Sequence, residues 1–489
     1  MQLQSIIRLV FVCSVGVATL LWSDPGHAAG TFKAGFAKAD ITPTAPTPMW
    51  GYGARHDWLS RGVRDPLHAK ALVIDTGDAK LALVGLDLGR SPGDPDFTRI
   101  ALAVEAKAGV THVMLVGSHT HHGPVLELLD EEGMGKGTFD AAVAYRKELE
   151  AKLVDIIVEA AGNTQDARIG WTSEHVDMNR NRHSKIDPKP RDTELSVVRF
   201  DDLSGNPIAV MVNFSAHPTT LHTADLRFSA EYPGVMMNTV EAALDTNCFF
   251  MQGSSGDMSI KTIAEDAMAG DDRALDRATF SKEQHAHLMT LGKRSAEEIT
   301  EIQASFIRDE ARMVNYGKRL GVKVIELAKE ITTAVPEKPS IKGQYQDFNF
   351  VSRVNFESKF VQGMFRQAFF KELADASIGD VADNVIKTKL TVVLLNDELA
   401  MVGGSGEFFS SHANRLKERS GAKKTLFFGY CNGHNMYFPT IEGVSQGGYG
   451  ADPEVSWVAV GAGETMMNEA LIVLYEYLGK ISRKQLGGV

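Results

Sequence analysis

The sequence predicts an α/β protein. Strand-like apolar runs alternate with amphipathic helical stretches, and several strands come in pairs joined by polar turns. In addition, the helical stretch "DFTRIALAVEAKAG" lies between the strands "AKLALVGLDL" and "THVMLVG", a strand–helix–strand unit.

Each element follows from its residues. "FKAGFAKAD" opens as a strand and runs into a Pro/Gly loop ending "MWGYGAR". "AKALVIDTGDAKLALVGLDL" predicts a hairpin broken at Thr76–Gly77–Asp78. Gly109 ends the first helix, and "THVMLVG" is a buried strand. "FDAAVAYRKELEAKLVDIIVEAAGN" predicts a long helix, with Leu149, Leu153, Ile156, Ile157 and Ala160 on one face and Gly162 as its cap. "ELSVVRFDDLSGNPIAVMVNF" is a hairpin about Ser204–Gly205–Asn206, and "CFFMQG" is a further strand. Residues 262–333 are polar and rich in Ala, Glu, Lys and Arg, with a capping box "SKEQ" at 281–284. They predict a helical insertion packed on the sheets, in the manner of a lid. "KLTVVLLNDELAMVGG" turns at Asn396–Asp397, "TLFFGY" is the last long strand, and "GETMMNEALIVLYEYLGK" is the last helix.

The chain has 489 residues, 44% hydrophobic and 23% charged, which fits one large globular domain or two. The net charge of -11 argues against a nucleic-acid partner, which would select a basic face. Residues 1–29 read as a secretory signal peptide: Arg8, an apolar stretch from Leu9 to Trp22, and small residues at Ala28 and Ala29. The alternative is an uncleaved anchor, for which the stretch is short. Cys13 lacks a lipobox. The expected location is therefore secreted or periplasmic, with residues 30–489 as the mature domain. Cys248 and Cys431 remain, and they either pair or stay as two buried thiols.

Five strands exit into polar residues: His119 and His121 in "SHTHHG", His217 in "SAHPTTLH", Ser255 to Ser259 in "SSGDMS", Glu407 in "SGEFF" and Tyr437 in "CNGHNMYF". Strand exits hold functional groups on a rigid scaffold. In extended chain, residues i and i+2 point the same way, so His119 and His121 face one centre and Thr120 faces away. Zinc hydrolases use three or four N and O ligands and leave one position for water. The bland alternatives are satisfied histidines and, for Glu407, a cap on the helix "FFSSHANRLKER". The Gly123–Pro124 that follow are not the Asp-His of metallo-β-lactamases. The Asp-x-His and Asn-His pairs of binuclear phosphoesterases are missing, as are eight regular β/α units.

These motifs, in this order, resemble the neutral/alkaline (non-lysosomal) ceramidases. The similar segments are "AGFAKADITP", "MWGYG", "SRGVRDPLHAKALVID", "GSHTHHGP", "NRNR" before "DTELSVVRF", "NFSAHPTTL", "SSGDMS", "GGSGEFF" and "YFPTIEGVSQGGY", the last with two tyrosines twelve apart. The resemblance implies two β-sheets flanked by helices, and one zinc per chain held by His119, His217, Glu407 and Tyr437. It puts His121, Arg180 and Tyr449 around the scissile amide and Ser259 at the position of the proposed nucleophile. The implied reaction is zinc-dependent cleavage of an N-acylsphingosine to sphingoid base and fatty acid. Water activated at the zinc site is favoured over Ser259 as nucleophile, because a serine needs an adjacent base. The implied partner is a ceramide-like lipid, met through transient contact with a membrane surface or micelle. Another acyl amide, ester or lactone is the alternative substrate, and a non-catalytic secreted binding protein is the alternative class. The chain departs from the family in four ways. "HHG" stands for His-Ser-Gly, "GDMSIK" lacks the usual Pro-Asn, the 262–333 insertion is more helical, and the C-terminal immunoglobulin-like domain of longer members is not expected here.

Overall fold

The computed structural model describes residues 31–267, 296–381, 383–482 and 484. The expected signal segment at 1–29 and the capping box at 281–284 lie outside the described residues.

The chain runs β1 (Lys33–Asp40), β2 (His68–Asp75), β3 (Lys80–Leu86), α1 (Asp96–Ala108), β4 (His112–Gly117), β5 (Leu129–Glu132), β6 (Gly135–Lys136), α2 (Asp140–Gly162), β7 (Gln165–His175), β8 (Asn179–Asn181), β9 (Glu194–Asp202), β10 (Pro207–Phe214), α3 (Glu231–Leu244), β11 (Asn247–Gln252) and β12 (Met258–Ile260). It continues with α4 (Ala296–Glu330), β13 (Ile341–Val351), α5 (Lys359–Ala368), α6 (Lys371–Asp380), β14 (Val385–Leu395), β15 (Leu399–Gly404), β16 (Glu407–Phe408), α7 (Ser410–Arg419), β17 (Lys424–Phe428), β18 (Tyr437–Phe438), α8 (Ile441–Gln446) and α9 (Ala462–Tyr477).

Two main sheets organise the protein. The larger has eight strands in the order β11-β10-β9-β7-β1-β2-β3-β4, and the smaller has four, β13-β14-β15-β17. Between them lies an apolar layer, with Leu72, Leu83, Met114 and Phe249 from the first sheet meeting Val393, Leu395, Met401 and Phe428 from the second. Helices α1 and α2 cover part of the outer face of the large sheet, and α3 and α4 cover another part. Helices α7 and α9 cover the outer face of the small one. The result is an α/β/β/α layering in which each apolar strand face is buried. Hairpins β2–β3, β9–β10 and β14–β15 form as the turn residues predict. Asn396 and Asp397 both take positive φ (56° and 57°), the backbone that a tight primed turn requires.

Two expectations change, and one open alternative is decided. Helix α2 buries the predicted face, but it runs through Gly162 and is capped at Asn163, whose N–H donates to Glu159 O. Its end is therefore set by hydrogen bonding and not by a left-handed glycine. The described part of the 262–333 insertion is no lid: α4 buries Met313, Tyr316, Leu320, Val324 and Leu327 against α3 and the β9–β11 face. The two cysteines stay as buried free thiols, Cys248 in β11 and Cys431 after β17, and burial pushes the Cys248 thiol up to about 12.

Candidate metal centre and cleft

The exits of β4, β10 and β15 deliver their polar residues to one buried point. After β4 the chain is held by Ser118 and His119, whose N–H groups donate to Leu86 O and Leu88 O. His119 then takes φ +67°, so the segment is not the extended strand that parity predicts. Both rings still reach one centre: His121 Nε2 lies 3.4 Å from His119 Nε2. Thr120 does turn away, donating to Ser229 O at 2.7 Å. Tyr430, Asn432 and Met436 are further non-glycine residues of positive φ near this point. Backbone of this kind is sparsely populated and concentrates at functional sites.

His119 Nε2 is 3.0 Å from His217 Nε2. Glu407 Oε2 is 3.3 Å from the first and 3.2 Å from the second. His119 Nδ1 faces Gly89 O at 2.9 Å, and His217 Nδ1 faces Ser255 O at 2.6 Å. Carbonyls only accept, so the protons of the neutral rings sit on Nδ1 and both Nε2 lone pairs aim at the centre. Glu407 Oε2 is buried and has no hydrogen-bond donor among the described residues. Converging lone pairs and an orphaned carboxylate oxygen repel one another unless a cation lies between them, and neutral imidazole plus carboxylate is a set that suits zinc. The residues present therefore fit a metal ion. Burial, Arg182 and His119 hold the His217 imidazolium down to about 3. Burial opposes ionisation of Glu407, but the surrounding histidines outweigh it and keep its carboxyl well below the ordinary range.

Glu407 arrives through a short parallel pair, β16 with β18, which sets it opposite Tyr437. Gly256 packs against that backbone so closely that a Cβ there would stand 2.4 Å from Glu407 O. Glu407 does not cap α7. Asp257 does so instead: its Oδ1 accepts from Ser410 N at 2.7 Å, and its Oδ2 accepts from Asn181 Nδ2 at 2.6 Å. Burial lifts the Asp257 carboxyl to about 6.

The structure separates the remaining predicted residues. Tyr437 accepts a hydrogen bond from Arg182 Nη2 at 2.9 Å, and the same nitrogen lies 2.9 Å from His217 Nε2. Arg182 therefore takes the place expected of Arg180; both residues are exposed overall, and it is the contacts with Tyr437 and His217 that set Arg182 apart. Arg180 lies in β8, where its Cα pairs with Ser259, whereas Arg182 has just left that strand and turns inward. Arg182 is an exposed residue, yet its guanidinium stands among Tyr437, Glu407 and Tyr449. Tyr449 is 62% exposed, with its ring 5.6 Å from that of Tyr437. Ser259 bridges the backbone of His217, but no side chain among the described residues hydrogen-bonds its hydroxyl.

Three functional-looking residues were not singled out from the sequence. Trp50 sets its ring edge-on to His119, His121 and His434 (5.0, 5.3 and 5.5 Å) and donates to Glu127 Oε1 at 2.9 Å. Tyr430 stacks on His119 at 4.1 Å. His434 contacts Glu407 Oε1 at 3.1 Å. The available signal was their presence in "MWGYG", "TLFFGY" and "CNGHNMYF".

A cleft of about 980 Å³ opens above the centre. His121, Glu407, Tyr437 and Tyr449 are among its lining residues, with Trp50, Val125, Phe369, Phe370, Leu373 and Trp457 as apolar wall and Arg90, Asp94, Asp347, Lys387 and Lys389 on a polar side.

No protein-family model matches the chain. It is 24% identical over 267 residues to the neutral ceramidase of Drosophila pseudoobscura pseudoobscura, a match spanning 50% of this chain and 36% of that protein. It is 27% identical over 232 residues to neutral ceramidase A of Dictyostelium discoideum, spanning 42% and 31%. The matched part is thus about a third of either relative. The crystal structure of the neutral ceramidase from Pseudomonas aeruginosa superimposes with a TM-score of 0.68 at 16% identity, over 92% of this chain and 75% of that one. A ceramidase complexed with C2 gives 0.65 at 16% identity, over 93% and 76%. The chain is thus similar in sequence to neutral ceramidases through about half its length and shares the fold of a solved neutral ceramidase through nearly all of it.

Proposed function

We propose that the protein is a zinc-dependent hydrolase that cleaves the amide bond of an N-acyl lipid, an N-acylsphingosine in the first instance. One observation carries this reading: two imidazole Nε2 atoms and the donorless Glu407 Oε2 converge within 3.3 Å at the floor of a cleft with apolar walls. His119, His217 and Glu407 would hold the ion, with Tyr437 beside them as the fourth ligand. Bound zinc supplies a Lewis acid and lowers the pKa of water to about 7.

The chain's own residues do the rest. His121 lines the cleft, with its ring flanked by Trp50 at 5.3 Å and Tyr52 at 4.8 Å. Burial and the neighbouring histidines keep it neutral, and a neutral imidazole accepts the proton of attacking water. The water oxygen bonds to the acyl carbon, the C–N bond breaks, and His121 returns the proton to the leaving nitrogen. Arg182 and the phenol of Tyr449 would donate to the developing oxyanion. Among the described residues Ser259 has no hydrogen-bonded base, which favours water over serine as nucleophile. A second reading, another acyl amide, ester or lactone at the same centre, draws on the charged side of the cleft at Asp94, Asp347, Lys387 and Lys389. We also propose that residues 1–29 export the chain.

Zinc analysis combined with turnover of a panel of ceramides, other N-acyl lipids and lactones tests the proposal. About one zinc per chain and preferred ceramide cleavage are expected, and His217→Ala should lose most of the metal while remaining folded. Absence of zinc from the purified wild type, or full occupancy in His217→Ala, would defeat the metal assignment. Lactone or ester turnover without amide cleavage would defeat the substrate assignment.

A further inference from the structure

We propose that His434 is a positioning residue for the metal centre: it pins one oxygen of Glu407 so that the other is presented to the ion. The inference rests on the metal reading above and assigns a role within it to a residue outside the four expected ligands.

His434 is 8% exposed, and its Nε2 lies 3.1 Å from Glu407 Oε1. A carboxylate can only accept, so Nε2 carries the proton and has no lone pair to give a metal. His434 is thereby a donor to Glu407, although its nitrogen lies close enough to His119 and Glu407 to form a second possible ligand group. The two carboxylate oxygens are then used differently. Oε1 is held by His434, while Oε2 has no donor and faces His119 and His217. Without the His434 donor, rotation of the carboxylate costs little and Oε2 loses its fixed direction.

The position of His434 is itself built in. The loop that carries it is fastened to both sheets: Asn432 N–H donates to Leu115 O, and its side chain exchanges hydrogen bonds with Leu115 N, Val113 O and Thr391 Oγ1. Gly433 N donates to Ser91 Oγ at 2.9 Å. The imidazole is flanked by Tyr430, near-parallel at 5.9 Å, and by Trp50, edge-on at 5.5 Å. A ring held this firmly gives a hydrogen bond of fixed direction, which is what orienting a metal-binding carboxylate requires.

The test is zinc affinity, by chelator competition on full-length protein, with the visible spectrum of the cobalt-substituted form as a second readout. His434→Ala should bind zinc about 10- to 100-fold more weakly, the usual effect of removing a partner of a metal ligand. His434→Gln, which can place an amide N–H at Oε1, should recover most of that loss. The cobalt spectrum of both variants should keep the wild-type intensity and so the wild-type coordination number. Circular dichroism checks folding; if the alanine variant misfolds, His434→Leu keeps the volume and removes the donor. Wild-type zinc affinity in the donor-less variants would overturn the proposal. So would a loss as complete as that of His217→Ala, with no recovery in His434→Gln and an altered cobalt spectrum, because His434 would then be a ligand. A wild type that binds no zinc overturns this inference together with the metal reading, whereas normal wild-type binding with unaffected His434 variants overturns this inference alone.

Discussion

Gly51→Ala should displace His121 without touching any of the expected metal ligands. Gly51 has φ +105°, and a Cβ built there would lie 2.5 Å from His121 Cγ and 2.7 Å from its Nδ1. Ordinary contact begins near 3.4 Å, so the ring must recede by about 0.9 Å. Trp50 and Tyr52 close in on either side, so little free space is available for the shift. A displacement of about 1 Å in a catalytic group costs about 100-fold in rate, and turnover should fall by roughly that factor. Left-handed backbone at a non-glycine residue adds about 1–2 kcal/mol of destabilisation. Steady-state hydrolysis, zinc content and circular dichroism are measured on one preparation. Turnover within threefold of wild type in a folded, zinc-loaded variant would refute the role given to His121. A folded variant that loses its zinc would make His121 a ligand, and the separation of roles would fail.

Three further outcomes follow from the geometry. Arg182→Ala should lose at least about 100-fold in kcat, by analogy with removal of one oxyanion donor, while Arg180→Ala stays near wild type; the reverse order in paired kinetics would restore Arg180. Ser259→Ala should slow the enzyme without abolishing it and leave no acyl adduct in quenched intact-mass spectra, whereas an adduct on Ser259 would make serine the nucleophile. Asp87 is 4% exposed, and burial lifts its carboxyl to about 7. The folded chain therefore holds that proton more tightly than the unfolded one, so Asp87 lowers stability as pH rises from about 4 to about 7, by up to about 4 kcal/mol. Asp87→Asn keeps an acceptor for His68 N–H and should gain stability over wild type at pH 8 but not at pH 4 in urea melts; a pH-independent difference would exclude this account.

The sequence by itself determined the elements and the order of the motifs. Strand and helix periodicities are local, so the hairpin turns at Asn396–Asp397 and Ser204–Asn206 and the apolar face of α2 were legible. His119, His217, Glu407 and Tyr437 each follow a strand in a motif of its own, and the fold brings the first three to one point. Tertiary structure decided what spacing cannot encode. Parity could not tell Arg180 from Arg182, since both sit two apart in "NRNR"; the end of β8 separates them. The His119–His121 pair converges although His119 leaves the extended conformation, because Leu86 and Leu88 anchor the turn. Cys248 and Cys431 lie in separate layers and stay unpaired. His434 gained a partner only when packing of the two sheets brought its loop beside Glu407. The orphaned Glu407 Oε2, which carries the functional reading, is a property of four chain segments meeting at one point, set by long-range packing and invisible to any local pattern.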